Sequence, residues 1–357
     1  MIDRRTFGKA FGLAVASATA LAAAPGTAAA RPGPQAPSGT TPGGAGPGAM
    51  LELPVAPAFE RMRQVDAGEL NIGYAELGPE NGRPVVLLHG WPYDIHSYVD
   101  VAPILAARGY RVIVPYLRGH GTTTFRSASA FRNAQQAVVA LDVIALLDAL
   151  RIRRAIIAGY DWGSRTGDIV AALWPHRVTA LVSVTGYLIT NREANANPTA
   201  PMSEWAWWYQ YYFATERGRR GLENPEYRVE LARQVWTFNS PTWAYDDATF
   251  ARTAAAFTNS DYVDIVIHNY RWRLGLADGD PRYDALESRL AAAPPIGVPT
   301  ITIDGEKDPF TPPGDGAMYR SHFVGPYEHR TFRGIGHNVP QEAPAEFARA
   351  VQDADAL

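Results

Sequence analysis

Cysteine is absent from the 357 residues, which removes disulfides, thiolate nucleophiles and cysteine-ligated metals together and leaves an oxidising compartment permissible. No Lys/Arg-dense stretch occurs and the formal charge is only −3, so the electrostatic footprint of a nucleic-acid-binding protein is missing. A small uncharged substrate fits that balance. Histidine pairs at metal-ligand spacing and a glycine-rich phosphate cradle are also lacking, so neither a metal nor a cofactor is expected. What is present is apolar material: 46% of residues are hydrophobic and 19% charged, enough to bury one large core with an insertion.

The apolar run Ala10 to Ala24 is short and alanine-rich for a bilayer span. Arg4, Arg5, Thr6, Phe7, Gly8 and Lys9 before it resemble a twin-arginine export motif, and Ala28, Ala29 and Ala30 after it suit a signal peptidase. Residues 1–30 are therefore read as a cleaved leader. The expected protein is exported, periplasmic or extracellular, with no stable membrane insertion after processing. Residues 31–58 read as a linker, almost all Pro, Gly, Ala, Ser and Thr as far as Gly48.

Two β-like stretches, Arg61 to Val65 and Leu70 to Leu77, precede the apolar run Pro84 to Leu88. Further short runs, Val112 to Val114, Ala155 to Ala158, Ala180 to Val184 and Thr300 to Ile303, alternate with helical patterns such as Phe131 to Leu150. That alternation is the signature of a parallel sheet with crossover helices, its strands covered on both faces. It breaks over 188–292, about a hundred residues rich in Trp and Tyr and too long for a loop, read as a helical cap inserted after the sixth core strand. The core is then 59–187 and 293–357, with Pro294 and Pro295 returning the chain to the sheet.

Gly159, Tyr160, Asp161, Trp162 and Gly163 stand directly after a strand and before a helical pattern. This is the nucleophile-elbow layout with aspartate in the usual serine place. Its dull alternative is an aspartate capping a helix. His89, Gly90, Trp91 and Pro92 end the earlier strand, so the backbone amides of Trp91 and Trp162 are candidates for an oxyanion hole. Asp308, in the loop after the strand ending at Ile303, and His337, after the stretch Glu328 to Phe332, complete the order nucleophile, acid, base. Asp304 is the rival acid but ends its strand instead of sitting in the loop.

The HGWP and DWG strings resemble the α/β-hydrolase superfamily, specifically its epoxide hydrolase and haloalkane dehalogenase branch, over about Phe59 to Ala350. The resemblance implies an α/β-hydrolase fold: a mostly parallel eight-stranded sheet flanked by helices, with an inserted helical cap. One departure is Tyr116 and Leu117, where an aspartate often precedes the Arg-Gly turn.

A carboxylate attacking an ester would give an anhydride as reactive as its precursor, whereas attack on a saturated carbon gives an ordinary ester. Asp161 therefore points to a small apolar epoxide or halide as substrate. An opening epoxide needs O–H donors, and tyrosine, with a pKa of about 10, suits that task. The string Tyr209, Gln210, Tyr211, Tyr212, Phe213 is similar to the one carrying the first lid tyrosine of epoxide hydrolases, and Asn269, Tyr270, Arg271 resemble the place of the second. Tyr209 and Tyr270 are the expected ring-opening pair, with Tyr212 as alternate; singly, each is as well explained by packing.

Trp162 could aim its indole at a halide, with Trp205, Trp207, Trp208, Trp243 and Trp272 as possible second donors or apolar lining. His89 reads as a brace for its loop, and His120 and His268 as surface or packing residues. In the family's defluorinating members an arginine follows the nucleophile to bind a substrate carboxylate. Trp162 occupies that place here, so a carboxylate substrate is not expected even though Arg165 is present. The runner-up activity is hydrolytic dehalogenation, and a reading from another class is a non-catalytic binder of apolar ligands.

Overall fold

A computed structural model describes residues 59, 61–310 and 314–357. The leader, residues 1–30, and the linker, residues 31–58, lie outside them.

Nine strands occur among the described residues: β1 (Met62–Ala67), β2 (Leu70–Leu77), β3 (Arg83–Leu88), β4 (Tyr110–Pro115), β5 (Thr124–Phe125), β6 (Ala155–Gly159), β7 (Val178–Val184), β8 (Thr300–Gly305) and β9 (Tyr327–Phe332). Eight form one path in the order β1-β2-β4-β3-β6-β7-β8-β9, and the two-residue β5 pairs only with β2. β1 and β2 form an antiparallel hairpin and β2 joins β4 antiparallel; every later pairing is parallel. The central strands show why: β6 is buried at all five positions and β3 at its last four, so both faces need cover, which crossover helices supply. Helices α1 (Val101–Ala107), α2 (Gln136–Ala149) and α3 (Trp162–Leu173) alternate with these strands. α2 packs on α3 along one layer.

α2 begins at Gln136 instead of the expected Phe131. Local hydrogen bonds hold the preceding residues in a non-helical loop: Arg118 Nη1 donates to the Asn133 carbonyl, the Ala134 amide to His268 Nδ1, and the Gln135 amide to Asn133 Oδ1. His268 and the fully buried His120 are thus packing residues, not surface ones.

Between β7 and β8 lie seven helices: α4 (Pro201–Ala206), α5 (Trp208–Ala214), α6 (Glu216–Glu223), α7 (Pro225–Asn239), α8 (Asp247–Ala254), α9 (Tyr262–Arg273) and α10 (Asp284–Ala291). Their starts are written locally. Thr215 accepts from the Gly218 amide, Asn224 from Tyr227 with Pro225 at the first helical position, and Asp246 from Thr249. α11 (Ala317–Arg320), α12 (Val339–Glu342) and α13 (Pro344–Ala354) complete the chain, and α13 packs against α1. Among the described residues no helix is long and apolar enough to cross a membrane, and no cluster of His, Asp and Glu could hold a metal ion.

Candidate active site

Strand register brings the first pieces together. Leu88 of β3 lies opposite Gly159 of β6, so the next residues of both strands leave the sheet side by side. Asp161 sits on the resulting bend at φ 53°, a left-handed conformation that costs a non-glycine residue of order 1 kcal/mol or more. The bend tolerates no bulk beneath it: a Cβ on Gly163 would stand 1.9 Å from the Leu88 carbonyl oxygen, and one on Gly159 2.5 Å from the Gly163 carbonyl carbon. Gly90 is equally constrained, because a Cβ there would lie 2.4 Å from that of Asp161. The close approach lets the Trp91 amide donate to Asp161 Oδ1 at 2.7 Å.

The second pair comes from the neighbouring edge of the sheet. Gly305 of β8 faces Phe332 of β9, and the loops beyond are tied by hydrogen bonds from the Glu306 amide to Phe332 O and from Lys307 to Ile335 O. Asp308 and His337 therefore meet: His337 Nδ1 lies 2.7 Å from Asp308 Oδ2, while Asp308 Oδ1 accepts from the Phe310 amide. The opposite ring nitrogen, Nε2, points at Asp161 Oδ2 from 3.5 Å, too far for a strong hydrogen bond. The structure thus joins Asp161, His337 and Asp308 in one row. Asp304 stands apart, taken by the Tyr319 hydroxyl at 2.8 Å.

Electrostatics suits a nucleophile and a base. Burial alone would raise the Asp161 carboxyl, but His337 and the amides of Trp91 and Trp162 outweigh it and hold its pKa below the usual range. Burial likewise opposes the His337 imidazolium, yet Asp308 and Asp161 together lift it to about 10.

The histidine loop is braced from the helical insertion, which sequence reasoning missed. Ser240 Oγ accepts from the His337 and Asn338 amides and donates to Glu342, and the Asn239 carbonyl accepts from the His337 amide. Glu342 in turn accepts from the Gly336 and Asn338 amides.

A small cavity of about 80 Å³ opens beside Asp161 and His337, lined also by Tyr209 and Phe310. Tyr209 and Tyr270 are both buried, with ring centroids 5.6 Å apart, and both rings touch Trp91. Burial, then the charge of Asp161, pushes the Tyr209 phenol up; burial, Tyr209 and Asp161 do the same for Tyr270, so both are protonated at neutral pH. Tyr212 is directed elsewhere, its hydroxyl 2.9 Å from that of Tyr227, and is not the donor its alternate role required.

Of the tryptophans, Trp207 lines the cavity, Trp205 is 60% exposed, Trp208 is at the surface, Trp243 stacks on Trp236, and Trp272 lies in a separate groove. The Trp162 indole N–H is buried and makes no well-aligned hydrogen bond, although it faces Tyr270. His89 braces its loop, Nδ1 against the Gly90 carbonyl and Nε2 accepting from the Leu117 amide. Two guanidiniums, Arg165 and Arg273, complete the lining, which an apolar pocket would not contain. Arg273 was not foreseen, although it follows Tyr270 by three positions and so shares its face of α9.

The α/β hydrolase fold family matches residues 83–344, and the chain belongs to that family. The relatives narrow the branch. A "putative epoxide hydrolase" from Klebsiella pneumoniae superposes with a TM-score of 0.82 at 55% identity, over 84% of this chain and 99% of that one. Epoxide hydrolase B of Mycobacterium tuberculosis is 25% identical over 78% of this chain and 93% of its own length, and a haloalkane dehalogenase of Mycobacterium marinum 27% identical over 73% and 80%.

Proposed function

We propose that the protein hydrolyses an epoxide to a vicinal diol through a transient ester on Asp161. The observation that carries this reading is a partly exposed carboxylate with one oxygen fixed by the Trp91 amide, the other facing His337, and Tyr209 lining the same cavity. The similarity to epoxide hydrolases supports it.

In the first step the free oxygen, Oδ2, attacks a ring carbon. The ring C–O bond breaks as its oxygen takes a proton from Tyr209 or Tyr270. Because esterified Asp161 is neutral, one of the two carboxylates that hold the His337 pKa up is lost, so the imidazolium gives its proton back to the tyrosinate formed on ring opening and becomes a neutral base able to take a proton from water. Hydroxide then adds to the Asp161 carboxyl carbon. The developing charge on Oδ1 is met by the Trp91 and Trp162 amides, an effect of about 3 kcal/mol per donor. Collapse of this intermediate expels the diol as its alkoxide, which takes the proton of the acid re-formed at Asp161, so that Asp161 returns to carboxylate, His337 stays imidazolium, and one water is consumed overall.

A second reading, hydrolytic dehalogenation, is favoured by one observation: the Trp162 indole N–H, with no well-aligned hydrogen bond, could receive a leaving halide.

Mass spectrometry of His337→Gln mixed with an epoxide should show the intact protein carrying one covalent adduct on Asp161, and Asp161→Asn none. An adduct elsewhere, or wild-type turnover in labelled water that puts label straight into the first diol formed and never into Asp161, sinks the ester mechanism.

A further inference from the structure

Three cationic groups face the cavity or its edge, Arg165, Arg273 and His337, against two carboxylates, Asp161 and Asp308. Asp308 is bound to His337, so Asp161 is the one free carboxylate in the cavity lining; Asp168 and Glu287 also act on Arg165, but burial pushes Asp168 up to about 8, and Glu287 accepts from Gln135, Gln136 and the Ala137 amide. Neither forms an ion pair with a described carboxylate. The guanidinium of Arg165, a residue 6% exposed, has one hydrogen bond among the described residues, from Nη2 to Asn269 Oδ1 at 2.9 Å, and lies 5.9 Å from the Trp162 ring centroid, while Arg273 Nε is buried with no partner. Burial and then the charge of Arg273 push the Arg165 guanidinium down to about 10, so the two cations act on each other. Holding like charges together in a poorly hydrated site is costly unless an anion joins them.

The reaction sharpens this imbalance. When Asp161 becomes an ester, its negative charge leaves it, and the guanidiniums lose the one free carboxylate of the cavity lining midway through the cycle. A negative group on the substrate would stay beside them from binding to release.

We infer that the substrate carries a carboxylate, held between Arg165 on α3 and Arg273 on α9 while Asp161 attacks the epoxide carbon; this rests on the reading of Asp161 as nucleophile. Two guanidiniums from separate elements, one in the core and one in the insertion, suit bidentate recognition of a planar anion. The cavity of about 80 Å³ restricts the remainder to a short chain. Trp162 in place of an arginine therefore does not remove anion recognition; it leaves that task to Arg165 and Arg273.

The test compares glycidate with glycidamide, equal in shape and different in charge, on the full chain. Glycidate should be opened with kcat/KM at least about tenfold higher, the scale of a charge-assisted hydrogen bond. In Arg165→Gln and Arg273→Gln the acid-to-amide ratio should fall toward unity, through KM. Binding of the unreactive cyclopropanecarboxylate and its amide, followed by calorimetry, gives a readout independent of turnover: the acid should bind and the amide should not. Equal or preferred turnover of glycidamide by the wild type overturns the anion site. So does an equal loss on both substrates in the variants, which would assign the guanidiniums to the tyrosines. If cyclopropanecarboxylate binds but no epoxide is opened, the anion site stands and epoxide hydrolysis falls; if glycidamide is opened and no carboxylate binds, the reverse holds.

Discussion

The sheet and the helical insertion each supply half of the site, and they hold their halves by different means. Asp161, Asp308 and His337 stand on loops whose paths are set by strand register and by glycines with no room for a Cβ. Tyr209, Tyr270 and Arg273 stand on short helices positioned by ring contacts, such as those of Trp91 with Tyr209, Tyr270 and Phe213, and by a hydrogen bond from the Trp91 indole to Tyr262. Backbone geometry admits one arrangement, whereas a packed aromatic cluster can exchange members at modest cost. In the mechanism proposed above, the chemistry common to ester formation and hydrolysis rests on the rigid half, and the choice of leaving group and substrate on the adaptable one.

The largest effect that would break this contrast comes from a single methyl group. Gly163→Ala must move either the elbow or the end of β3, since its Cβ would meet the Leu88 carbonyl at 1.9 Å, and a loss on the order of 3 kcal/mol or more is expected. Trp205→Ala in the insertion, at a side chain 60% exposed, should change stability by less than about 1 kcal/mol. Chemical denaturation of both variants measures the difference; equal losses would mean that the elbow yields as easily as a surface helix.

A smaller effect separates the two halves within the reaction. Removing both phenol hydroxyls, in Tyr209→Phe with Tyr270→Phe, should leave the fold intact and slow epoxide opening by roughly 10² or more, the range for lost general acid catalysis. The ester, once made, should hydrolyse at the wild-type rate, because the proposed mechanism assigns water activation to His337. Single-turnover kinetics resolves the two steps. Unchanged opening, or release of halide from a haloalkane at undiminished rate alongside lost epoxide turnover, would shift the assignment toward dehalogenation.

The same division governs what can be read from the sequence. The elbow is legible because its geometry demands glycine at fixed offsets around Asp161, and the loops of Asp308 and His337 because each follows a short apolar strand. Tyr209 and Tyr270 are found only through resemblance, since nothing local distinguishes them from Tyr212, whose hydroxyl turns to Tyr227. Ser240 and Glu342 are invisible for a different reason: they brace the His337 loop through backbone amides, which carry no side-chain signature, and Ser240 does so from the insertion, 97 residues away from His337. The start of α2 fails similarly, because Arg118 and His268 override a helical pattern by binding backbone groups ahead of Gln136.

Asp168 on α3 lies where the two halves join. Its Oδ2 accepts from the amide of Leu188, the first residue of the insertion, at 2.8 Å, while Oδ1 is buried without a partner. Burial, against the weaker opposing pull of the Leu188 amide, raises this carboxyl to about 8, so the folded protein keeps a proton that the unfolded chain sheds near pH 4. Between those values the folded state binds more protons, and the site's contribution to stability falls as pH rises, levelling off above about 8. Asp168→Asn keeps an acceptor for Leu188 but cannot ionise. Its melting temperature relative to wild type should therefore climb from pH 5 to pH 8, reflecting on the order of a few kcal/mol. Parallel curves for the two proteins would show that Asp168 enters the fold already ionised, and that the joint between core and insertion is held by charge and not by a neutral carboxyl.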